Sequence, residues 1–375
     1  MGATVIHSVL LFDGVSTHPN ATVTFDRESG RITSVSTTPT SSTHFPPGAA
    51  VIDGQGCTLL PGLIESHMHV HNLHLPPGAS EDDILRSPLR CGVTTLKALV
   101  DTWPNVTVDN AAEFVKSHKA NGADYIKLMQ ENCCSLAMPT GAIPVATLEL
   151  QTAVVKAGHD AGFPVVGHAL SVDMTEVVLK SGADGLTHTF VDQPLPSSTL
   201  DLYKKNNAFV IPTLTILASL TNELQDWRDR FADLAKQKKL VDDFSVQNMR
   251  ETMNAKDEAA KLEYAFDAIK TFRQEGIDVV AGTDSVAGLK GSGLGPSLWM
   301  ELLLYIEKCG MSVTEALHSA TALPAMRFGF SDRGVVAEGK RADLVLVKGN
   351  VTEELAALWE GEGIVGVWKQ GIKAS

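Results

Sequence analysis

Residues 163–190, FPVVGHALSVDMTEVVLKSGADGLTHTF, decide how the rest of the chain is read. FPVVGHA (163–169) and DGLTHTF (184–190) are short apolar runs, and residues 172–181 between them carry apolar side chains at helical spacing. Strand, helix and strand in this order predict a βαβ unit of a parallel sheet. Parallel strands are buried on both faces and should be apolar throughout. These two nevertheless carry His168 and His188 near their C-terminal ends. In a parallel α/β barrel such positions project into the mouth, where active sites are built.

The same texture extends in both directions. LPGLIESH (60–67), GVTTLKAL (92–99), DYIKLM (124–129), AFVIPTLTI (208–216) and IDVVAGTD (277–284) are the other expected strands. Helical patterns fill 110–121, 146–161, 197–206, 296–309 and 312–327. Eight βα units in about 250 residues make a closed barrel, and seven strands are clear. A third is expected in compressed form between Val100 and Val108, while 218–270 is a charged helical insertion before the last strand. The two chain ends share a different pattern of short β-rich runs broken by FDG, ESG and KGN turns. They are expected to pair, giving 1–60 and 333–375 as two parts of one small β domain around a barrel of 61–332.

Composition narrows the functions. With 31 basic against 44 acidic side chains the net charge is −13, which excludes the basic footprint of a nucleic-acid binder. No apolar run approaches the roughly 20 residues needed to span a bilayer. The opening MGATVIHSVLLFDGV has no basic start and places Asp13 within its apolar stretch, so no signal peptide is read there. Five cysteines without a secretory signal read as reduced thiols, and the expected location is cytoplasmic.

Polar residues on the strands carry the chemistry. His67 and His69 are two apart, hence on one side of their strand and able to reach one metal ion. Lys127, His168, His188 and Asp284 each lie on a separate strand. Taken singly, a buried histidine is a satisfied core residue, Lys127 a snorkelling lysine and Asp284 a helix cap. Six such residues at strand ends are not explained that way, and together they predict a metal centre. Imidazole and carboxylate suit zinc, manganese, iron or nickel. His71 and His74 read as loop or supporting residues, while His159 and His318 look helical and peripheral. Vicinal Cys133 and Cys134 read as packing residues.

PGLIESHMHVH, GADYIKLM, VVGHA, LTHTF, PTLT, AGTDS and GKRADLVLVKGN, in this order, resemble the amidohydrolase superfamily. Within it they resemble the prolidase and imidazolonepropionase-related group. The resemblance implies an α/β fold, a distorted (β/α)8 TIM barrel with a small β-sandwich formed by both chain ends. It implies that His67, His69 and Asp284 bind the more buried of two divalent metal ions, with zinc expected, and that His168 and His188 bind the second. Lys127 would be carboxylated by CO2, its carbamate bridging the pair. An unmodified ammonium there would suffer both desolvation and repulsion by the cations.

The reaction so implied is hydrolysis of a C–N bond (amide, cyclic amide or peptide-like) in a small molecule. Metal-activated water would attack, and Asp284 would shuttle its proton to the leaving amine. The alternative is a non-hydrolytic lyase, cyclase or decarboxylase of specialised metabolism on the same scaffold. Three departures from the pattern concern the mouth. Glu65 stands where Asp is usual, the loop VAGLKGSGLGPS lacks a histidine, and ILASL lacks a tyrosine. The last two remove expected contacts to a substrate α-carboxylate, so a dipeptidase is not the expected activity. The partner is a small-molecule substrate, not nucleic acid or membrane, and relatives of this group imply a homo-oligomer.

Overall fold

The computed structural model describes residues 2–38, 45–70, 81–98 and 106–374. From the N-terminus come β1 (Ala3–Phe12), β2 (Thr17–Asp26), β3 (Arg31–Ser36), β4 (Ala50–Asp53) and β5 (Cys57–Pro61). Then follow β6 (Leu63–His69), α1 (Glu81–Arg90), β7 (Val93–Ala98), α2 (Ala111–Ala120), β8 (Ile126–Met129) and α3 (Leu148–Asp160). The middle continues with β9 (Val165–His168), α4 (Val172–Lys180), β10 (Gly185–Thr187), α5 (Ser197–Asn206), β11 (Phe209–Ile211) and α6 (Leu214–Leu220). Next are α7 (Gln225–Gln237), α8 (Asp243–Arg250), α9 (Leu262–Gln274), β12 (Ser285–Val286) and α10 (Pro296–Glu307). The chain ends with α11 (Val313–Ser319), α12 (Ala322–Arg327), β13 (Leu344–Lys348), β14 (Ile364–Lys369) and β15 (Ile372–Lys373).

The βαβ unit predicted at 163–190 is present. Strand β9 pairs in parallel with β8 and β10, and β10 with β11. Helix α4 turns Val172, Thr175, Val178 and Leu179 inward, the spacing of one helical face. It lies so close that a Cβ on Gly167 would stand 2.3 Å from a Val178 methyl, and only glycine allows that approach. A second parallel sheet has the order β12-β6-β7.

The expected strand at 277–284 is not a regular strand. It makes one parallel bridge, Val279 to Val210, and then hydrogen-bonds across to β6 through Ser66 N to Ala281 O and Asp284 N to His67 O. Gly282 allows this crossing, because a Cβ there would meet Ile211 at 2.5 Å and the His67 backbone at 3.0 Å. The segment thus lies between the two parallel sheets. Among the described residues the strands do not close into a full barrel. The compressed third strand expected between Val100 and Val108 falls largely outside the described residues, as do His71 and His74.

Three other expected elements are shorter or divided. The strand expected at 60–67 is split, with β5 leaving for the sheet of the chain ends and β6 starting afresh at Leu63. The strand expected at 208–216 stops at Ile211. Pro212 has no N–H for a ladder, Thr213 is left-handed with φ +56°, and helix α6 starts at Leu214. The helix expected at 312–327 is interrupted between Ser319 and Ala322.

The chain ends do meet. They form one sheet in the order β15-β14-β13-β5-β1-β2-β3, with β4 also pairing β1. This sheet curls, so that Phe25 on β2 meets Trp368 on β14 with ring centroids 5.9 Å apart. Its apolar face includes Ile6, Val23, Leu59, Leu344 and Leu346. No helix among the described residues is long and apolar enough to cross a membrane.

Candidate metal centre

On β6 the period of two puts Glu65, His67 and His69 on one face. Nε2 of His67 and Nε2 of His69 converge on Oδ1 of Asp284, at 3.1 and 3.0 Å. Yet that oxygen, although buried, accepts no hydrogen bond of acceptable angle. Nε2 of His188 lies 3.9 Å from the other carboxylate oxygen. One nitrogen each of His67 and His188 and one oxygen of Asp284 all lie within 4.8 Å of one another. Close donor atoms that do not hydrogen-bond to each other are the arrangement a cation completes.

The other predicted residues join this group. Lys127 Nζ is 3.3 Å from His67 Nε2. The rings of His168 and His188 stand edge to face with centroids 4.5 Å apart. Register explains this, since His168 is opposite Thr187 in the parallel ladder and His188 is the next residue. Both His188 (φ +71°) and Asp284 (φ +55°) are left-handed, uncommon for residues other than glycine and frequent at functional sites. All six sequence-predicted residues therefore lie side by side.

The electrostatics suit ligation. Burial pushes His67 down to about 3, assisted by the nearby Lys127 amine. Burial likewise holds His188 well below the ordinary histidine value, with His168 adding to the effect. Both rings stay neutral and keep a lone pair for a metal. Burial opposes ionisation of Asp284, but the contacts from His67 and His69 prevail and hold it well below the usual carboxylate range.

Supporting side chains fix these donors. The Thr213 hydroxyl is 2.6 Å from His188 Nδ1, leaving Nε2 towards Asp284. Glu65 accepts hydrogen bonds from His67 N at 3.1 Å, and from Thr283 N and Oγ1 at 2.9 Å each. Burial pushes its carboxyl up to about 8. Fully buried Glu301 accepts from Leu214 N and Thr215 N at 2.8 and 2.7 Å, anchoring the first turn of α6 beside Thr213.

Sequence reasoning missed four participants. Thr213, Thr283 and Glu301 carry no spacing signal of their own. Glu131, four residues beyond Lys127, puts Oε2 at 3.5 Å from His168 Nε2 while only 1% exposed. Its signal was an acid just past a strand end, where Lys127 had drawn attention.

Other histidines and cysteines behave as read. His159 Nε2 lies 2.8 Å from Asp184 at the surface, and His318 Nδ1 bonds the Gly14 carbonyl at 2.7 Å. Cys133 is buried and Cys134 partly so, both as free thiols.

Comparison with known proteins agrees with this fold. Ochratoxinase of Aspergillus niger is 30% identical over 122 residues, which cover 31% of this chain and 24% of that protein. Its solved structure superposes with a TM-score of 0.71 at 16% identity, covering 100% of this chain and 96% of that one. Adenine deaminase of Clostridium perfringens is 24% identical over 303 residues, 79% of this chain and 48% of that protein. A Xaa-Pro dipeptidase crystallised with methionine in its active site superposes with a TM-score of 0.72 at 21% identity, covering 99% of each chain. The chain thus spans about half or less of the length of these curated relatives, and the structural likeness supports a TIM-barrel-like α/β fold. The sequence model of the amidohydrolase family matches residues 88–373, most of the chain, and the protein belongs to that family.

Proposed function

We propose that this protein hydrolyses a C–N bond, in an amide, cyclic amide or peptide-like group, of a small molecule. The observation that carries this reading is the convergence of His67, His69 and His188 nitrogens on the Asp284 carboxylate. In this reading His67, His69 and Asp284 hold the more buried of two divalent ions, and His168 and His188 hold the other. Zinc suits the imidazole and carboxylate donors, and Lys127 serves as a CO2-derived carbamate. Bound divalent ions supply Lewis acidity and bring the pKa of water towards about 7.

The chain's own groups do the remaining work. Ionised Asp284 takes a proton from the attacking water at Oδ2, the oxygen facing His188, and returns it to the departing amine. Thr213 orients His188, and Glu65 fixes the backbone of His67 and Thr283. Neutral His67 and His188 rings do not compete with Asp284 for that proton.

The test combines metal analysis of the purified protein with a hydrolysis screen. The screen covers Xaa-Pro dipeptides, N-acyl amino acids with aromatic acyl groups, and small lactams, run in ¹⁸O-labelled water. Expected are bound transition metal, chelator-sensitive turnover and label in the carboxyl product. Less than one equivalent of metal with chelator-indifferent turnover overturns the reading. Turnover without label transfers it to the non-hydrolytic alternative.

A further inference from the structure

We propose that residues 251–257 are a fixed strap across the mouth of the site, riveted by Ser219, which admits only a compact, uncharged substrate group beneath it; this rests on the metal reading above. Ser219, near the end of α6, is fully buried. Its hydroxyl donates to Lys290 O at 2.7 Å and accepts from Met253 N at 2.9 Å. Its carbonyl accepts from Thr252 Oγ1 at 2.6 Å and from Asn254 N at 3.1 Å. Gly291 is left-handed at φ +86°, and a Cβ there would stand 2.3 Å from the Ser219 side chain. One small residue thus joins three pieces of chain: α6, the strap and the loop after Asp284. ILASL (216–220) and VAGLKGSGLGPS (286–297), whose make-up stood out in the sequence, meet at this rivet.

From the rivet the strap runs on across the strand ends. Ala255 N bonds Leu220 O at 3.0 Å, Ala137 N bonds Ala255 O at 2.9 Å, and Asp257 N bonds Ser135 O at 3.0 Å. Leu136 and Lys256 form an antiparallel bridge between these last two contacts. The chain then returns through Lys261 N to Val191 O at 2.8 Å, just past β10. The strands below stand in the order 277–284, β11, β10, β9 and β8. A strap fixed to the loop after the first and to the loop after the last must pass over the ends of β9 and β10. His168 and His188 stand there. Backbone hydrogen bonds at successive crossings make it a wall rather than a hinged cover.

The make-up of this wall names what it admits. The strap spends its own charges: Glu251 Oε2 pairs with Lys290 Nζ at 3.1 Å, and Lys256 Nζ turns to Ala260 O at 3.3 Å. The loop after β8 that meets it carries no charged side chain from Asn132 to Leu148. Met253 and Leu136 are both partly buried and pack on the apolar core. A carboxylate or ammonium pressed against such surfaces would lose its water and gain no partner. The substrate group under the strap is therefore a short acyl chain or a small neutral ring.

The test begins with hydrogen–deuterium exchange on the metal-free full-length chain, for wild type, Ser219→Ala and Thr252→Val. In wild type the amides of Met253, Asn254 and Ala255 should be as protected as the core. In both variants they should exchange roughly tenfold faster or more. Wild-type protection of α3 and α4 in the variants shows that the fold is kept. The same proteins, loaded with cobalt(II), are then titrated with hydroxamates and followed by visible absorption. Octanohydroxamate should gain roughly tenfold or more over acetohydroxamate in both variants. Succinic monohydroxamate should bind wild type roughly tenfold or more weakly than uncharged butanohydroxamate. Strap amides that exchange freely in wild type would overturn the strap. An unchanged length preference in variants with a released strap would overturn its part in selection, and equal binding of charged and uncharged probes would overturn the neutral class. A wild type that binds cobalt but hydrolyses no amide would refute the hydrolytic reading alone. One that binds no cobalt would refute the metal reading and the selection drawn from it.

Discussion

The Thr213 hydroxyl stands 2.6 Å from Nδ1 of His188, so the direction of that ring is set by a residue in the turn between β11 and α6. Thr213 is itself left-handed, and Glu301 clamps the next two backbone N–H groups. Removing the hydroxyl should loosen His188 without touching the other donors. Thr213→Val is therefore expected to weaken one equivalent of bound metal by roughly 10–100-fold. Chelator competition measures this, and unchanged affinity would refute the role.

Asp284 is the group held ionised at neutral pH in the middle of the cluster. In Asp284→Asn the proton acceptor is gone while shape is kept. The kcat on the best substrate from the amide screen should fall by roughly 10²–10⁴-fold. Steady-state kinetics decide it; a variant within tenfold of wild type would show that another residue moves the proton.

Lys127 is proposed to act as a carbamate. Wild-type protein loaded with ¹³C-bicarbonate and metal should give a carbamate resonance in its ¹³C spectrum that Lys127→Ala lacks. Lys127→Ala should also lose bound metal, with part recovered by adding a short carboxylic acid such as propionate. Two tightly bound ions in wild type with no carbon label incorporated would dismiss the carbamate.

Glu301 supplies a pH signature away from the metal donors. Burial pushes its carboxyl up to about 7 from an unfolded value near 4.5, although the Thr215 and Leu214 N–H groups oppose this. The folded state therefore holds a proton that the unfolded chain releases, and stability falls as pH rises from about 4.5 to 7. Glu301→Gln cannot ionise. Measured by thermal unfolding, its midpoint relative to wild type should climb between pH 5 and 7 and level off above. A difference that stays flat over that range would contradict the buried, protonated state.

Much of this was legible because ionisable residues on buried parallel strands have few structural uses. His67, His69, Lys127, His168, His188 and Asp284 all announced themselves in that way. Glu131, Thr213, Thr283 and Glu301 did not, since an acid or hydroxyl in a loop or helix is ordinary until its partner is known. Lys97 was likewise hidden. It reads as one more residue of GVTTLKAL, yet its amine is buried 3.7 Å from the Phe328 ring centroid and 4.2 Å from that of Tyr125. Strand limits were the least legible feature. Strand β11 ends where Pro212 and Thr213 turn the chain, and segment 277–284 makes its hydrogen bonds one at a time.

The sheet made from both chain ends has a consequence for synthesis on the ribosome. Strand β5 is flanked by β1 on one side and β13 on the other. While β1 is available at once, β13 begins about 280 residues after β5 ends, an interval of roughly 15–60 s at ordinary translation rates. For that time one edge of β5, with buried Leu59 and Leu60, has no native neighbour. Until β13 emerges, the nascent protein carries an open, apolar strand edge, the kind of surface that invites pairing with other chains.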